Sequence, residues 1–441
     1  MEEVRIIGGG LAGAECALKL AEYKIKVKLY DIKPNKFTPA HHCGNYAELV
    51  CSNSLKSNDV YGNACGLLKE EMRILGSHVI AAADETKVPA GNALAVNREL
   101  FSEKITSLIK NNEYIVCENK EVEDIDGDFD GITVIATGPL TTGKLSDSIS
   151  ELTGEKMYFF DAAAPIVSKD SIDMNSAFIS DRWGEPGVGD HINCPMNKEE
   201  YEEFLSAVLT AERVKLKDFE DASVFEGCMP VEVMAKRGKD TLRFGPLKPA
   251  GLTDPKTGRW PYACLQLRKE DKDGNMYNLV GFQTNLTFPE QKRVFGLIPA
   301  LKNAEYFRYG VMHKNSYIRS PGVLKSDFSL IKNDKIYFAG QITGVEGYVE
   351  SAASGLAVAY NVILKKRNLP PLCFGRKTVI GALSDYIASP TSDFQPMNAN
   401  FGIIESVYTD KKNKADKKRL QAERSLDIIK TFRVKFDSFQ A

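Results

Sequence analysis

Short, mostly apolar runs recur along the chain, and each one runs into a turn that contains glycine. Val4–Ile7, Ile132–Ile135 and Ile336–Ala339 have the length and composition of strands buried on both faces. Between them lie stretches of helical period: one starts near Leu11, one covers Asn97–Lys110, and a small-residue one covers Val349–Leu364. Ile25–Tyr30 and Tyr114–Cys117 supply further strands. Such alternation predicts a parallel sheet wrapped by helices. The pattern changes from about residue 150 to residue 325. There a helix over Lys198–Glu212 precedes the β-rich runs Leu242–Pro246, Tyr262–Leu267 and Met276–Thr284, separated by the turn clusters Asp254–Gly258 and Asp271–Gly274. This predicts an antiparallel meander. Strand-to-helix alternation then resumes, so the simplest organisation is a discontinuous domain, residues 1–150 and 326–441, interrupted by an inserted substrate domain at 151–325. A chain of 441 residues is also longer than one core usually serves.

The first strand opens into Gly8-x-Gly10-x-x-Gly13, and Tyr30-Asp31 closes the next one. Strand, glycine turn, helix, second strand and terminal acid occur in the order of a dinucleotide-binding βαβ unit. One glycine makes the tight turn, one lets the backbone approach a pyrophosphate, and one lets the helix pack on the strand. Gly8, Gly9, Gly10, Leu11, Ala12 and Gly13 are therefore the candidate phosphate contacts, with the anion on the helix N-terminus. Asp31 is placed to accept ribose hydroxyls. Near the other end, the stretch from Gly340-Gln341 to Gly347-Tyr348 is a second glycine-rich turn into a helix. Gly340, Gln341, Gly347 and Tyr348 are the candidates there, where a helix N-terminus would face a flavin's pyrimidine edge and stabilise the anionic reduced ring. Between the two, Ala136-Thr137-Gly138 is a turn common in FAD proteins. The three segments in this order predict an α/β, Rossmann-like FAD-binding domain of glutathione-reductase type with an inserted α+β domain. No second complete glycine fingerprint is present, so a nicotinamide that reduces the flavin would visit transiently and leave.

Composition sets limits. Hydrophobic residues are 43% and charged residues 26%, ordinary for a globular protein. A net charge of −2 does not mark the whole chain as a nucleic-acid binder. From Asp410 to Ala441, however, ten Lys or Arg stand against five Asp or Glu, on a helix to which Leu420, Ile428, Ile429 and Phe432 give partial apolar period. A basic face meeting phosphates and a solvated terminal helix both fit those residues. No apolar stretch is long enough to span a bilayer, and Met1 to Val4 leads directly into the first strand without room for a signal peptide, so a cytoplasmic protein is expected. The nine cysteines form no C-x-x-C pair. That argues against a disulfide scaffold, a zinc ribbon or a dithiol reductase, and no metal is expected.

Any reactive cysteine must then act singly, and two have suggestive neighbours. Cys51 lies in Leu49-Val50-Cys51-Ser52-Asn53-Ser54-Leu55-Lys56, shortly after His41 and His42. Cys228 lies in Phe225-Glu226-Gly227-Cys228-Met229-Pro230, with Lys236 and Arg237 close behind. Thiolate is the nucleophilic form, and nearby cations or a helix N-terminus raise its population. The other cysteines, Cys16 and Cys117 among them, read as small buried hydrophobes.

These segments, with Ala40-His41-His42, Asn193-Cys194-Pro195-Met196, Arg308–His313 and Gly340–Ser354, resemble the folate- and FAD-dependent tRNA uracil-5-methyltransferase family, TrmFO, along nearly the whole chain. Asp31 stands where most members are expected to carry glutamate; either carboxylate can hold a ribose. The resemblance implies that methylenetetrahydrofolate gives its methylene to reduced FAD, that the flavin passes it to carbon 5 of a uridine, and that NADH or NADPH supplies the electrons. Cys228 would then add to uracil carbon 6, and Cys51 would sit near the flavin, guarding the one-carbon unit or taking the carbon 5 proton. His41, His42 and His313 are candidates for stacking a pterin. Lys236 and Arg237, with Lys239 and Arg243, are candidates for a basic rim around an extruded uridine. The substrate implied is the T-loop uridine of tRNA. Ribosomal RNA, a small-molecule flavin oxidoreductase, and a flavoprotein that only binds RNA or a partner are the alternatives.

Overall fold

The computed structural model describes the protein except at residues 1–2, 39, 126–128, 142, 155, 163, 186, 215–228, 272–273, 392–393, 409–412 and 439–441; at 156–162, 313 and 314 it describes the backbone alone. The apolar runs assemble into one sheet, in the order Ser329–Leu330, Asn333–Phe338, Ile132–Ile135, Val4–Ile7, Val27–Asp31, Ile115–Asn119. All pairs are parallel apart from the antiparallel edge pair Ser329–Leu330 with Asn333–Phe338. Every residue of Val4–Ile7 and Ile132–Ile135 is buried, as strands covered on both faces should be, and their two polar members satisfy each other, Arg5 Nε donating to Thr133 Oγ1 at 3.1 Å. The helices Leu11–Glu22 and Tyr348–Lys366 pack on each other so closely that a Cβ at Gly355 would lie 2.2 Å from the Ala12 carbonyl oxygen. All residues from Val349 to Leu364 are buried, which explains the small-residue composition of that segment.

A second six-stranded sheet, entirely antiparallel, runs in the order Phe178–Ile179, His191–Met196, Ala263–Lys269, Met276–Leu279, Ile166–Ser168, Tyr306–Arg308. Its helix Lys198–Thr210 begins at a capping box, in which Asn197 accepts from the Glu200 amide while Glu200 accepts from the Asn197 amide. Lys156–Ala162 and Met312–Ile318 pair antiparallel and carry the chain out to this sheet and back. One large buried cluster draws on residues from Val4 to Ile149 and from Tyr317 to Phe436, the other on residues from Val167 to Ala304.

Two expectations need correction. Leu242–Pro246 is not a strand: Thr241–Phe244 is a short helix following Asp240 and ended by Gly245. Only Leu242 faces the core; Phe244 is 83% exposed, and Arg243 lies over the Tyr262 ring at 3.7 Å. The C-terminal helix, Lys414–Ser438, is docked, not merely solvated. It buries Gln421, Ala422, Ser425, Leu426, Ile429 and Phe436, whereas Leu420 and Ile428 lie off this seam and are only partly covered.

Candidate active site

The glycine turn is built by contact as much as by conformation. Gly8 has φ +104°, and a Cβ there would lie 2.4 Å from the Ala136 carbonyl oxygen. A Cβ on Gly13 would lie 1.9 Å from the Gly8 oxygen, so only glycine lets the helix start against the strand. Gly10 is different: its Cβ direction is open, with no atom within 4 Å. It caps the Leu11–Glu22 helix without a side-chain acceptor, so the first-turn amides face the opening. This opening is a cavity lined by Gly8, Gly9, Gly10, Leu11, Ala12 and Asp31 on one side. Ala136, Thr137 and Gly138 line it from the neighbouring strand, and Gly340, Gln341, Tyr348 and Ser351 from the far turn. The three glycine segments found in the sequence thus converge on one cavity.

Asp31 holds the turn and keeps spare capacity. Its Oδ2 accepts from the Gly9 amide at 2.7 Å and its Oδ1 from the Lys33 amide at 2.8 Å. Each carboxylate oxygen retains a lone pair for a hydroxyl in the cavity. At the far turn the Gly340 amide donates to Ser354 Oγ at 2.7 Å, and Gly347, φ +118°, leads into Tyr348 at the start of its helix. An anionic, two-ended ligand with a ribose near Asp31 fits this donor set. The residues present therefore suit FAD.

Cys51 follows Val50, which lines the cavity, and its Sγ lies 2.9 Å from the hydroxyl of cavity-lining Tyr348. That hydroxyl also accepts from the amides of Cys51, at 2.7 Å, and Ser52, at 3.2 Å. Three arginines from distant segments grip the same loop. Arg98 donates to the carbonyls of Leu49 and Val50 and pairs with Glu270 through both carboxylate oxygens. Arg268 reaches Ser52 Oγ and Asn53 Oδ1. Arg308 reaches the Cys51 carbonyl at 3.4 Å, and burial beside Arg98 brings its pKa down to about 10, so it stays charged at neutral pH. The sequence marked none of these arginines as site residues, although Arg308 falls within one of the segments that carry the family resemblance.

The histidines separate. His41 lines the cavity with Nδ1 2.5 Å from Thr38 Oγ1, and burial together with Lys33 lowers its pKa, so the ring is neutral at pH 7. His42 is exposed and meets Glu48 through its backbone amide. His313 pairs with Asp161 in the connecting ribbon; its side chain lies outside the described residues. Lys236 and Arg237 are exposed at the end of the Val231–Lys236 helix, away from the cavity wall, while Lys239 is paired with Glu202 and Arg243 with Asp240. Cys228 lies outside the described residues. Near Cys228 in sequence, the described chain is pinned to one segment: the Val214 amide donates to the Asn285 carbonyl and the Val231 amide to the Gln283 carbonyl. Buried Glu232 accepts from Thr284 Oγ1 and the Asn285 amide.

Fold and cavity together define a dinucleotide-binding flavoprotein of glutathione-reductase type. The family described as "Glucose inhibited division protein A" matches residues 3–370. The chain is 55% identical over 438 residues, covering 99% of this chain and 100% of the relative, to "Methylenetetrahydrofolate--tRNA-(uracil-5-)-methyltransferase TrmFO" of Acetivibrio thermocellus. It is 54% identical over 431 residues, 97% of this chain and 98% of the relative, to the protein of the same name from Caldicellulosiruptor bescii. Among solved structures, GidA of Aquifex aeolicus in its form I crystal superposes with a TM-score of 0.71 at 16% identity, over 99% of this chain and 76% of that one, a likeness of fold. The chain belongs to the glucose inhibited division protein A family and, within it, to TrmFO. Among the described residues no helix is long and apolar enough to cross a membrane.

Proposed function

We propose that this protein transfers a one-carbon unit from 5,10-methylenetetrahydrofolate to carbon 5 of a uridine in tRNA, the T-loop uridine, with FAD as cofactor and NADH or NADPH as reductant, in the cytoplasm. The observation that carries the reading is the position of the Cys51 loop: Val50 lines the dinucleotide cavity, and Cys51 is bonded to Tyr348, which lines it too. When bound, FAD supplies the reducing equivalents and the relay for the one-carbon unit. The protein's share is binding and proton chemistry. The helix beginning at Leu11 would receive the pyrophosphate at its N-terminus, and Asp31 would receive ribose hydroxyls. The Tyr348–Lys366 helix, whose first residue lines the cavity, would offer its positive end to the ring. Residues 151–325 form the substrate domain, and neutral His41 is suited to stack against a pterin.

Cys228 adds through sulfur to uracil carbon 6, which makes carbon 5 nucleophilic; this assignment rests on the sequence. After carbon 5 has gained its new substituent, the Cys51 sulfur takes the carbon 5 proton. The C–H electron pair restores the carbon 5–carbon 6 double bond and expels the Cys228 thiolate. Incubation with labelled methylenetetrahydrofolate, NADPH and a tRNA transcript should place label in 5-methyluridine. Label from S-adenosylmethionine instead, or transfer to ribosomal RNA alone, would reject the reading. Flavin turnover on a small molecule with no RNA product would favour the oxidoreductase alternative.

A further inference from the structure

We infer that Tyr348 is a positioning residue for Cys51, donating its hydroxyl proton to the sulfur and so holding it as a thiolate. The inference rests on the reading of Cys51 as the proton acceptor and adds what prepares it for that task. Donor accounting is the main support. The Tyr348 oxygen accepts from the Cys51 amide at 2.7 Å and the Ser52 amide at 3.2 Å. A phenol oxygen has one proton to give once its acceptor directions are filled, and Cys51 Sγ lies 2.9 Å away. That separation is short for a contact to sulfur, as charge-assisted bonds are. Burial and the neighbouring sulfur push the Tyr348 pKa well above its ordinary value, so the hydroxyl remains a donor at every working pH.

The charged groups around the pair agree. Arg98 holds the carbonyls of Leu49 and Val50, Arg268 the Ser52 hydroxyl, and Arg308 the Cys51 carbonyl itself. Against these three guanidinium groups stands the Glu270 carboxylate, committed to Arg98. Tyr348 also opens a 19-residue helix whose N-terminal dipole favours a negative sulfur. A thiolate here is ready to accept a proton from carbon; a thiol is not. The Cys51 thiol that results still accepts the Tyr348 hydrogen bond while the product leaves.

The test is the pH profile of Cys51 alkylation by iodoacetamide in the flavin-loaded enzyme, read peptide by peptide by mass spectrometry so that the other cysteines do not interfere. In the wild type the Cys51 rate should titrate below the ordinary thiol value of about 8.5, and Tyr348→Phe should raise that midpoint by about one unit and slow alkylation at pH 7 by about tenfold. Methylation by Tyr348→Phe should recover toward higher pH at unchanged flavin content. A wild-type Cys51 that titrates at or above the ordinary value, or resists alkylation throughout, overturns the inference without any variant. So does an unchanged profile in Tyr348→Phe. Normal methylation by Cys51→Ala would instead remove the role of Cys51 in the reaction, whatever its titration shows.

Discussion

The Ser425 hydroxyl donates to Glu71 Oε1 at 2.5 Å, tying the C-terminal helix to a carboxylate buried beneath it. The same carboxylate accepts from the amides of Val379, at 2.7 Å, and Ile380, at 2.9 Å, at the start of the Val379–Ala388 helix. One acidic side chain thus joins three helices far apart in sequence.

Burial pushes Glu71 up from 4.5 to about 7 against the pull of those three hydrogen bonds. The folded state therefore holds the proton more tightly than the unfolded chain. The corresponding stability is fully present below about pH 4.5 and is lost as pH rises through 7. Urea midpoints measured from pH 5 to 8 should fall more steeply in the wild type than in Glu71→Gln, by up to about 3 kcal/mol across that span. Parallel slopes would mean that Glu71 is ionised throughout.

The same anchoring decides how the basic tail should be tested. Removing residues 411–441 strips Ala422, Leu426, Ile429 and Phe436 from the core, so truncation should destabilise the protein before it says anything about RNA. Phe436→Ala alone should cost about 3–5 kcal/mol, read by denaturant midpoint. Lys414, Lys417 and Lys430 are exposed, and replacing all three with Gln leaves the seam intact. If this face meets phosphates, tRNA affinity should fall and the slope of log K against log salt should flatten by roughly 0.7–0.9 for each lost contact. An unchanged slope returns the face to solvent.

Gly10 and Gly13 should fail in different ways. A side chain at Gly10 enters empty space on the cavity wall, so Gly10→Val should fold and purify colourless, its pyrophosphate position filled. Gly13→Val places atoms on the Gly8 carbonyl, so it should lose soluble protein. Absorbance near the flavin bands, set against circular dichroism, separates the two. A fully yellow Gly10→Val would move the cofactor elsewhere.

The cofactor half of the site was legible because its signals are local. A short, mostly apolar strand, a glycine turn and a helix occupy one short stretch, and Gly8 and Gly13 each have a steric reason to be glycine. The Cys51 environment was not, because Arg98, Arg308 and the neighbouring pair Arg268 and Glu270 come from three separate segments and none carries a local pattern. The C-terminal seam was misread for a related reason. Gln421 and Ser425 face inward because they find partners across the interface, at the Ile404 carbonyl and at Glu71, and apolar periodicity cannot register that. Leu242 and Phe244 look like a strand by hydrophobicity, yet only the former is buried.

The two cysteines should separate under a mechanism-based probe. RNA carrying 5-fluorouridine at the target position permits addition at carbon 6 but blocks release, because fluorine cannot leave as a proton does. The wild type should therefore form a covalent complex with that RNA, seen as a slower band on a denaturing gel. Cys228→Ala should abolish the band and keep its flavin. Cys51→Ala should lose methylation at the proton-removal step, at unchanged flavin content, while retaining the RNA adduct, since the sulfur held by Tyr348 sits beside the dinucleotide cavity and is not the one assigned to carbon 6. Loss of the adduct in Cys51→Ala with retention in Cys228→Ala would exchange the two roles, and normal methylation by both variants would remove covalent catalysis from the mechanism.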